Sequence, residues 1–440
     1  MQFGHRIISW KKFLAGIIPL LAFLMFFAWL NERTLDADKH IAKYTGLEGI
    51  LSSDAGGYYA YLPALFIYNF NEPDTSLVMD RTGFRYENGK LVSKYPLGLA
   101  IGQSPFFMVA HLFANKKDGY SRPYHIAIRL SGVFYSSFGL LFCFLLFRKH
   151  TSWWLSLLAC SVLFFGTNLS YYTLREPGYS HVFSFFLIAL FFYLLDCFHE
   201  GGKLKKFLLL PVFAWIVAVR PIDAIILLPA IFWFGSSKND LQKNLKVITT
   251  NKMLFPISAL ISLLFFVPQL LYNHFILGQT AAPIYPGEGF TNWYLPKFDV
   301  VLWGTNSGLF LYTPLFILFA LVSIYAGIKN FPHNRILLVF FLLAVYIYAA
   351  WHAPGLGCSF SHRGQVDFLI LWIFPFAIVM HNLVERRKWL SFSGIALLSL
   401  AFCLYTNYLA KYWWFCGYGN GDDDYAWFVR EVKSYLDKDF

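Results

Sequence analysis

The sequence predicts an all-α polytopic membrane protein that crosses the bilayer about eleven times, with interfacial helices in its first outer loop. Three observations predict this. Apolar runs long enough to span a hydrocarbon core recur along the chain. Of the 440 residues, 57% are hydrophobic and 20% aromatic, but only 14% are charged, where soluble domains carry roughly 25%. Finally, the basic residues gather in alternate connections between the runs.

Met1 to Lys12 is basic, and Phe13 to Leu30 follows without a charge. Asn31, Glu32 and Arg33 come next and offer no small-residue cleavage site, so this run is expected to stay as an uncleaved first span. Further spans are expected near 124–147, 152–173, 179–197, 206–219, 222–235, 253–276, 307–328, 335–351, 366–384 and 389–410. The short pair 206–219 and 222–235 flanks Arg220-Pro221, where proline is expected to break one long helix.

The stretch Pro96 to Ala114 decides sidedness, because every later loop flips if it spans. With 96–114 lying in the interface, 17 of the 36 basic residues and only four of the 25 acids face the cytoplasm. The alternative puts "RKH" (148–150), "KLKK" (203–206) and "ERRK" (385–388) outside, against the positive-inside rule. Pro96, Gly98, Gly102 and Pro105 also suit an irregular interfacial or re-entrant segment. The N-terminus is then cytoplasmic, and 1–411 forms one transmembrane domain that includes a large first outer loop, 31–123. Shorter outer loops fall near 174–178, 219–223, 277–306 and 352–365, and the tail 412–440 is also outside.

The net charge of +11 is explained by these cytoplasmic loops, so no nucleic-acid partner is expected and the chain's surroundings are membrane lipids. Cys143, Cys160, Cys197 and Cys403 lie in or at the ends of apolar runs. Cys358 and Cys416 both fall in outer segments, but spacing alone does not establish a disulfide between them. No CxxC motif or His/Cys cluster has metal-ligand spacing, and no cofactor or metal site is expected.

The unusual polar residues fall on the outer side. The first loop contains "SDAGGYYAYLPALF" (53–66), with Asp54 before a glycine pair and then Tyr58, Tyr59 and Tyr61. "SKYPLGLAIGQSPFF" (93–107) opens the interfacial helix. "SYYTLREPGYSH" (170–181) carries Arg175, Glu176 and His181, and "VAVRPIDA" (217–224) carries Arg220 and Asp223. "WHAPGLGCSFSHRGQVDF" (351–368) carries His352, His362, Arg363 and Asp367. Ionisable groups at span ends cost free energy unless paired or wetted, which makes them functional candidates. Plainer readings exist for several. Asp54 could cap a helix, Arg175 and Glu176 could pair with each other, and Arg220 could snorkel to headgroups. The histidines could be satisfied interfacial groups, and the tyrosines could belong to an aromatic belt. Asp422, Asp423 and Asp424 suit the solvated first turn of a tail helix.

This set resembles the GT-C superfamily of lipid-phosphate-sugar glycosyltransferases, especially bacterial relatives of the protein O-mannosyltransferases and aminoarabinose transferases. The resemblance covers most of residues 10–385. It rests on the first-loop acid, the interfacial helices after it, the Arg-Glu pair after the third span, the Arg-Pro pair at the fifth, and "SFSHRGQVDFLI". The chain departs from the protein mannosyltransferases in having "TLDADKH" (34–40) and "SSDAGG" (52–57) in place of a first-loop Asp-Glu pair. The resemblance implies transfer of a sugar, with inversion, from a polyprenyl-phosphate carrier to a glycan, lipid or protein acceptor. It places the reaction on the outer face of the plasma (inner) membrane. Asp54 is the expected base, with Asp36 and Asp38 as alternatives. Arg175, Arg220 and Arg363 are expected to meet the lipid phosphate. Tyr58, Tyr59, Glu176, His181, Asp223 and His362 complete the expected substrate-binding set. A polyprenyl-linked glycan flippase or polymerase and a secondary transporter are the rival functions. The first rival typically relies on a large outer loop late in the chain, and the second on charges at the bilayer midplane.

Overall fold

The computed structural model describes residues 26, 29, 51, 53–73, 83–198, 203–234, 239, 242, 254–282, 284–331, 333–357, 359–412 and 424–439. The expected first span lies outside this set apart from Phe26 and Trp29, whose rings pack near Phe164 and Phe165. Asp36, Asp38, Cys358, Cys416, Asp422 and Asp423 also lie outside the described residues.

The stretch expected to form the first outer loop builds a small subdomain of its own. Helix α1 (Ser53–Tyr59) runs into a short turn and one π-turn, Ala64–Tyr68. A hairpin follows, β1 (Phe84–Glu87) paired antiparallel with β2 (Lys90–Ser93). It was not expected from the sequence, although Asn88-Gly89 is a hairpin signal and both residues take positive φ. Helix α2 (Gly98–Phe113) is the expected interfacial segment. Tyr59, Tyr61, Leu91, Phe107 and Tyr124 form the buried core of this subdomain.

The apolar runs then form the bundle: α3 (Arg122–His150), α4 (Trp153–Gly166), α5 (Leu169–Leu174), α6 (Ser180–Asp196) and α7 (Lys203–Val219). Next come α8 (Leu227–Phe234), α9 (Leu254–Leu264), α10 (Val267–Ile276), α11 (Phe298–Trp303) and α12 (Leu309–Tyr312). The bundle closes with α13 (Leu315–Ile328), α14 (Asn334–Ala350), α15 (Leu369–Glu385) and α16 (Trp389–Tyr412), followed by the tail helix α17 (Tyr425–Asp439). Helix α3 packs on α2 and α6, α6 on α7, and α13 on both α14 and α15.

Several expected spans are broken, each for a local reason. Arg220 is extended and Pro221 starts a 3-10 turn, as the sequence implies. The run 152–173 divides because Thr167 is extended and its side chain accepts from the Leu169 amide, capping α5 in place of the continuing helix. The run 307–328 divides at Thr313-Pro314, because proline drives the preceding residue away from helical geometry. Among the described residues, α3, 254–276 and α16 are each long and apolar enough to cross a membrane alone, and the other apolar helices are shorter. Asp424, the described one of the three tail aspartates, stands at the start of α17 and accepts from the Trp427 amide.

One glycine sets the entry to the site. A Cβ at Gly57 would overlap the Tyr95 ring and the Gly83 carbonyl. Gly57→Ala is therefore expected to displace Tyr95 and destabilise the first outer loop by about 1–3 kcal/mol. Limited proteolysis should show faster cleavage of that loop, and a protection pattern equal to wild type would contradict the packing.

Candidate active site

Asp54 sits in the first turn of α1, directly after Ser53, whose φ of 52° is left-handed. It does not cap the helix by standing ahead of it. Its Oδ1 accepts from the Tyr95 hydroxyl at 2.5 Å, and its Oδ2 pairs with Arg363 Nη2 at 2.8 Å. Arg363 comes from the distant segment before α15, where Ser361 is also left-handed (φ 57°) and bonds Thr313 at 2.7 Å. A Cβ at Gly364 would overlap the Tyr348 ring, so glycine lets this segment lie against α14. Two left-handed non-glycine residues flank the Asp54–Arg363 pair, each costing roughly 1–3 kcal/mol, a pattern common where geometry serves function.

Arg220 enters from the break between α7 and the 3-10 turn. Its Nε stands 3.1 Å from Asp367 Oδ2, Nη1 donates to Ser180 Oγ at 3.1 Å, and Nη2 donates to the Tyr348 hydroxyl at 3.4 Å. A third cation, Lys94, pairs with Glu288. Tyr285 bonds the Tyr58 hydroxyl at 3.0 Å and, through its amide, the Lys94 carbonyl at 3.2 Å. These contacts lay the 284–290 segment over the subdomain that precedes α3.

A cavity of about 580 Å³ opens between these elements. Asp54, Tyr58, Arg220 and Arg363 line it, together with Lys94, Tyr95, Tyr285, Glu288, Tyr348 and Trp351. The wall thus combines polar groups and arginines with the apolar Ile222, Ile284, Phe290 and Leu356. The cavity lies at the end of the bundle where α7 finishes and α6 begins. At the opposite end, Lys149 and His150 clasp Asp196 at 2.7 and 3.0 Å.

The remaining expected site residues lie behind or beside this cavity. His181 and Asp223 are buried at the back of Arg220, with His181 Nδ1 2.9 Å from Asp367 Oδ1. His362 is enclosed, its Nε2 at 2.9 Å from the Pro354 carbonyl, and burial pushes its pKa down to about 4. Tyr59 donates to the Gly119 carbonyl inside the first-loop core. Arg175 donates to the Lys411 carbonyl and stacks near Tyr171, away from the cavity lining. Burial pushes Glu176 up to about 7, against the pull of Arg363. Sequence reasoning passed over Tyr95, Lys94, Tyr285, Glu288 and Tyr348, which carry no sign of their partners in their local motifs. Among the described residues no group of three or more His, Cys, Asp and Glu side chains is arranged as a metal centre.

Burial pushes the Asp54 carboxyl up, but Arg363 and the Tyr95 hydroxyl pull harder, so its pKa lies below the ordinary aspartate value. Arg363→Met removes the larger of these two pulls. Dicyclohexylcarbodiimide reacts with protonated carboxyls, so labelling of Asp54 near pH 6 should rise in the variant. Labelling of Glu176 in the wild type should be strong below about pH 7 and fall as pH rises through that value. Asp54 labelling indifferent to Arg363 would contradict the ion pair.

No protein-family model matches the chain, and no curated protein does. Its structure is similar to the crystal structure of ArnT from Cupriavidus metallidurans bound to undecaprenyl phosphate. The two are 12% identical with a TM-score of 0.50, and the match covers 95% of this chain and 70% of that one. The likeness is one of fold: the chain shares that structure's all-α polytopic membrane architecture.

Proposed function

We propose that this protein is a membrane glycosyltransferase that moves a sugar from a polyprenyl-phosphate carrier to an acceptor hydroxyl at the outer face of the plasma membrane. The observation that carries the proposal is one cavity, on this fold, walled by a carboxylate and two arginines. The solved neighbour is bound to undecaprenyl phosphate, which supports the choice of carrier.

The chemistry follows from the charges. The acceptor oxygen forms a bond to the anomeric carbon as the bond from that carbon to the carrier phosphate breaks. Asp54 takes the acceptor proton, and the phosphate leaves with one more negative charge than it had as a diester. Arg220 and Arg363 offer N–H donors to that growing charge, which is where preorganised donors lower a barrier. The transition state has oxocarbenium character, and attack opposite the leaving phosphate inverts the anomeric centre. Tyr58, Tyr95 and Trp351 offer ring faces to the sugar, and the apolar Ile222, Ile284 and Phe290 in the cavity wall suit the start of the prenyl chain.

The resting Asp54 is a weak base because Arg363 holds it. An arriving phosphate competes for that guanidinium, and the carboxylate recovers basicity as the guanidinium turns to the donor. Donor binding thereby precedes base activation, which limits proton abstraction in an empty site. The cavity and its ionisable lining lie at an end of the bundle and not at mid-depth, which weighs against a transporter.

Proteoliposomes supplied with undecaprenyl phosphate carrying a panel of radiolabelled hexoses and pentoses test the reading. One donor should release its sugar to an acceptor extract, and Asp54→Asn should lower turnover by about 10²–10⁴-fold while donor binding persists. Full turnover in Asp54→Asn would remove Asp54 as base. Absence of turnover with every donor would count against a transferase.

A further inference from the structure

His181 and Asp367 do not line the cavity, yet they are among the most enclosed ionisable side chains of the described residues, at 1% and 0% exposure. An ionised carboxylate in such a place costs several kcal/mol unless its oxygens are matched. Asp367 has one oxygen hydrogen-bonded and the other matched by charge alone. Oδ2 meets Arg220 Nε at 3.1 Å, and Oδ1 meets His181 Nδ1 at 2.9 Å.

The pairing fixes the imidazole tautomer. A carboxylate only accepts, so Nδ1 carries the hydrogen. Nε2 of the same ring stands 3.5 Å from Arg220 Nη1, a group that only donates, so Nε2 presents its lone pair. His181 is therefore the neutral Nδ1–H form, and Arg220, Asp367 and His181 close a ring in which the His181 contacts are hydrogen bonds and the Arg220–Asp367 contact is an ion pair. Asp223 Oδ1 stands 4.0 Å from Arg220 Nε, beyond hydrogen-bond distance.

Counting donors shows what the ring leaves over. A guanidinium has five N–H groups. Nε faces Asp367 in an ion pair without a hydrogen bond, the two hydrogens of Nη1 face Ser180 and His181, and one hydrogen of Nη2 faces Tyr348. One Nη2–H remains, on a side chain that forms part of the cavity wall.

We infer that His181 and Asp367 are positioning residues that clamp Arg220 along its Nε/Nη1 edge, so that its remaining Nη2–H meets the phosphate of the lipid carrier. The inference rests on the proposed function. Neither residue touches substrate, and His181 belongs to the phosphate site only through Asp367 and Arg220.

Binding of undecaprenyl phosphate to the purified full-length protein tests the inference, with thermal unfolding run on every variant. Asp367→Asn should weaken binding about tenfold, and in an Arg220→Gln background it should add less than about twofold, because both changes remove the same contact. A wholly structural role would add its full factor in both backgrounds, and that result overturns the inference, as does wild-type affinity in Asp367→Asn. His181 gives a second route should Asp367→Asn fail to fold. His181→Phe should weaken binding, and His181→Asn, whose amide falls near the Nδ1 position, should recover most of the loss. Equal binding by His181→Phe and His181→Asn overturns the clamp. A wild-type protein that binds no undecaprenyl phosphate overturns the donor assignment itself, a result distinct from any variant pattern.

Discussion

The Asp54–Arg363 ion pair holds the site together. It joins the subdomain that precedes α3 to the segment ahead of α15, two parts of the chain with no shared element. Both side chains are mostly enclosed, at 21% and 14% exposure, so the pair is screened by little water. Tyr95 fastens the second oxygen of Asp54, and it reaches that oxygen only because Gly57 leaves room for its ring. Removing one partner of such a pair leaves a charge uncompensated, at a cost of about 3–5 kcal/mol.

The same arrangement recurs around the cavity. Arg363 faces Asp54, Arg220 faces Asp367, and Lys94 faces Glu288. Each cation has its own carboxylate, so an empty cavity holds its arginines in low-dielectric surroundings without a net positive charge to repel them. The three carboxylates are not equivalent. Asp54 and Glu288 line the cavity, where on the proposed function an arriving phosphate would compete with them directly, whereas Asp367 stands behind Arg220 with one oxygen bonded to His181 and the other ion-paired to Arg220. This difference separates a pair that exchanges on binding from one that orients.

Much of the architecture was legible in the sequence because membrane insertion writes itself locally. Apolar runs, the Arg220-Pro221 break and the basic connections each depend on a few neighbouring residues. The breaks at Thr167 and Thr313-Pro314 have local causes as well, a side-chain cap and a proline, but a run that is apolar throughout masks both. The β1–β2 hairpin also had a signal in Asn88-Gly89, overlooked among longer runs. The site was legible as a list and not as a geometry. Asp54, Arg220 and Arg363 stand out as charges at span ends, and the structure brings all three to one cavity. Tyr95 and Glu288 look like ordinary loop residues until folding sets them against Asp54 and Lys94. Arg175 shows the converse, since a charge beside Glu176 in sequence turns toward the end of α16 in space.

Cryo-electron microscopy of the protein with undecaprenyl phosphate in lipid nanodiscs tests the central claim most directly. The account predicts phosphate density inside the cavity, within hydrogen-bond distance of Arg220, with the Arg363 guanidinium drawn from Asp54 toward it. Phosphate density outside that cavity, or a carrier bound at the Lys149–Asp196 end of the bundle, would contradict it.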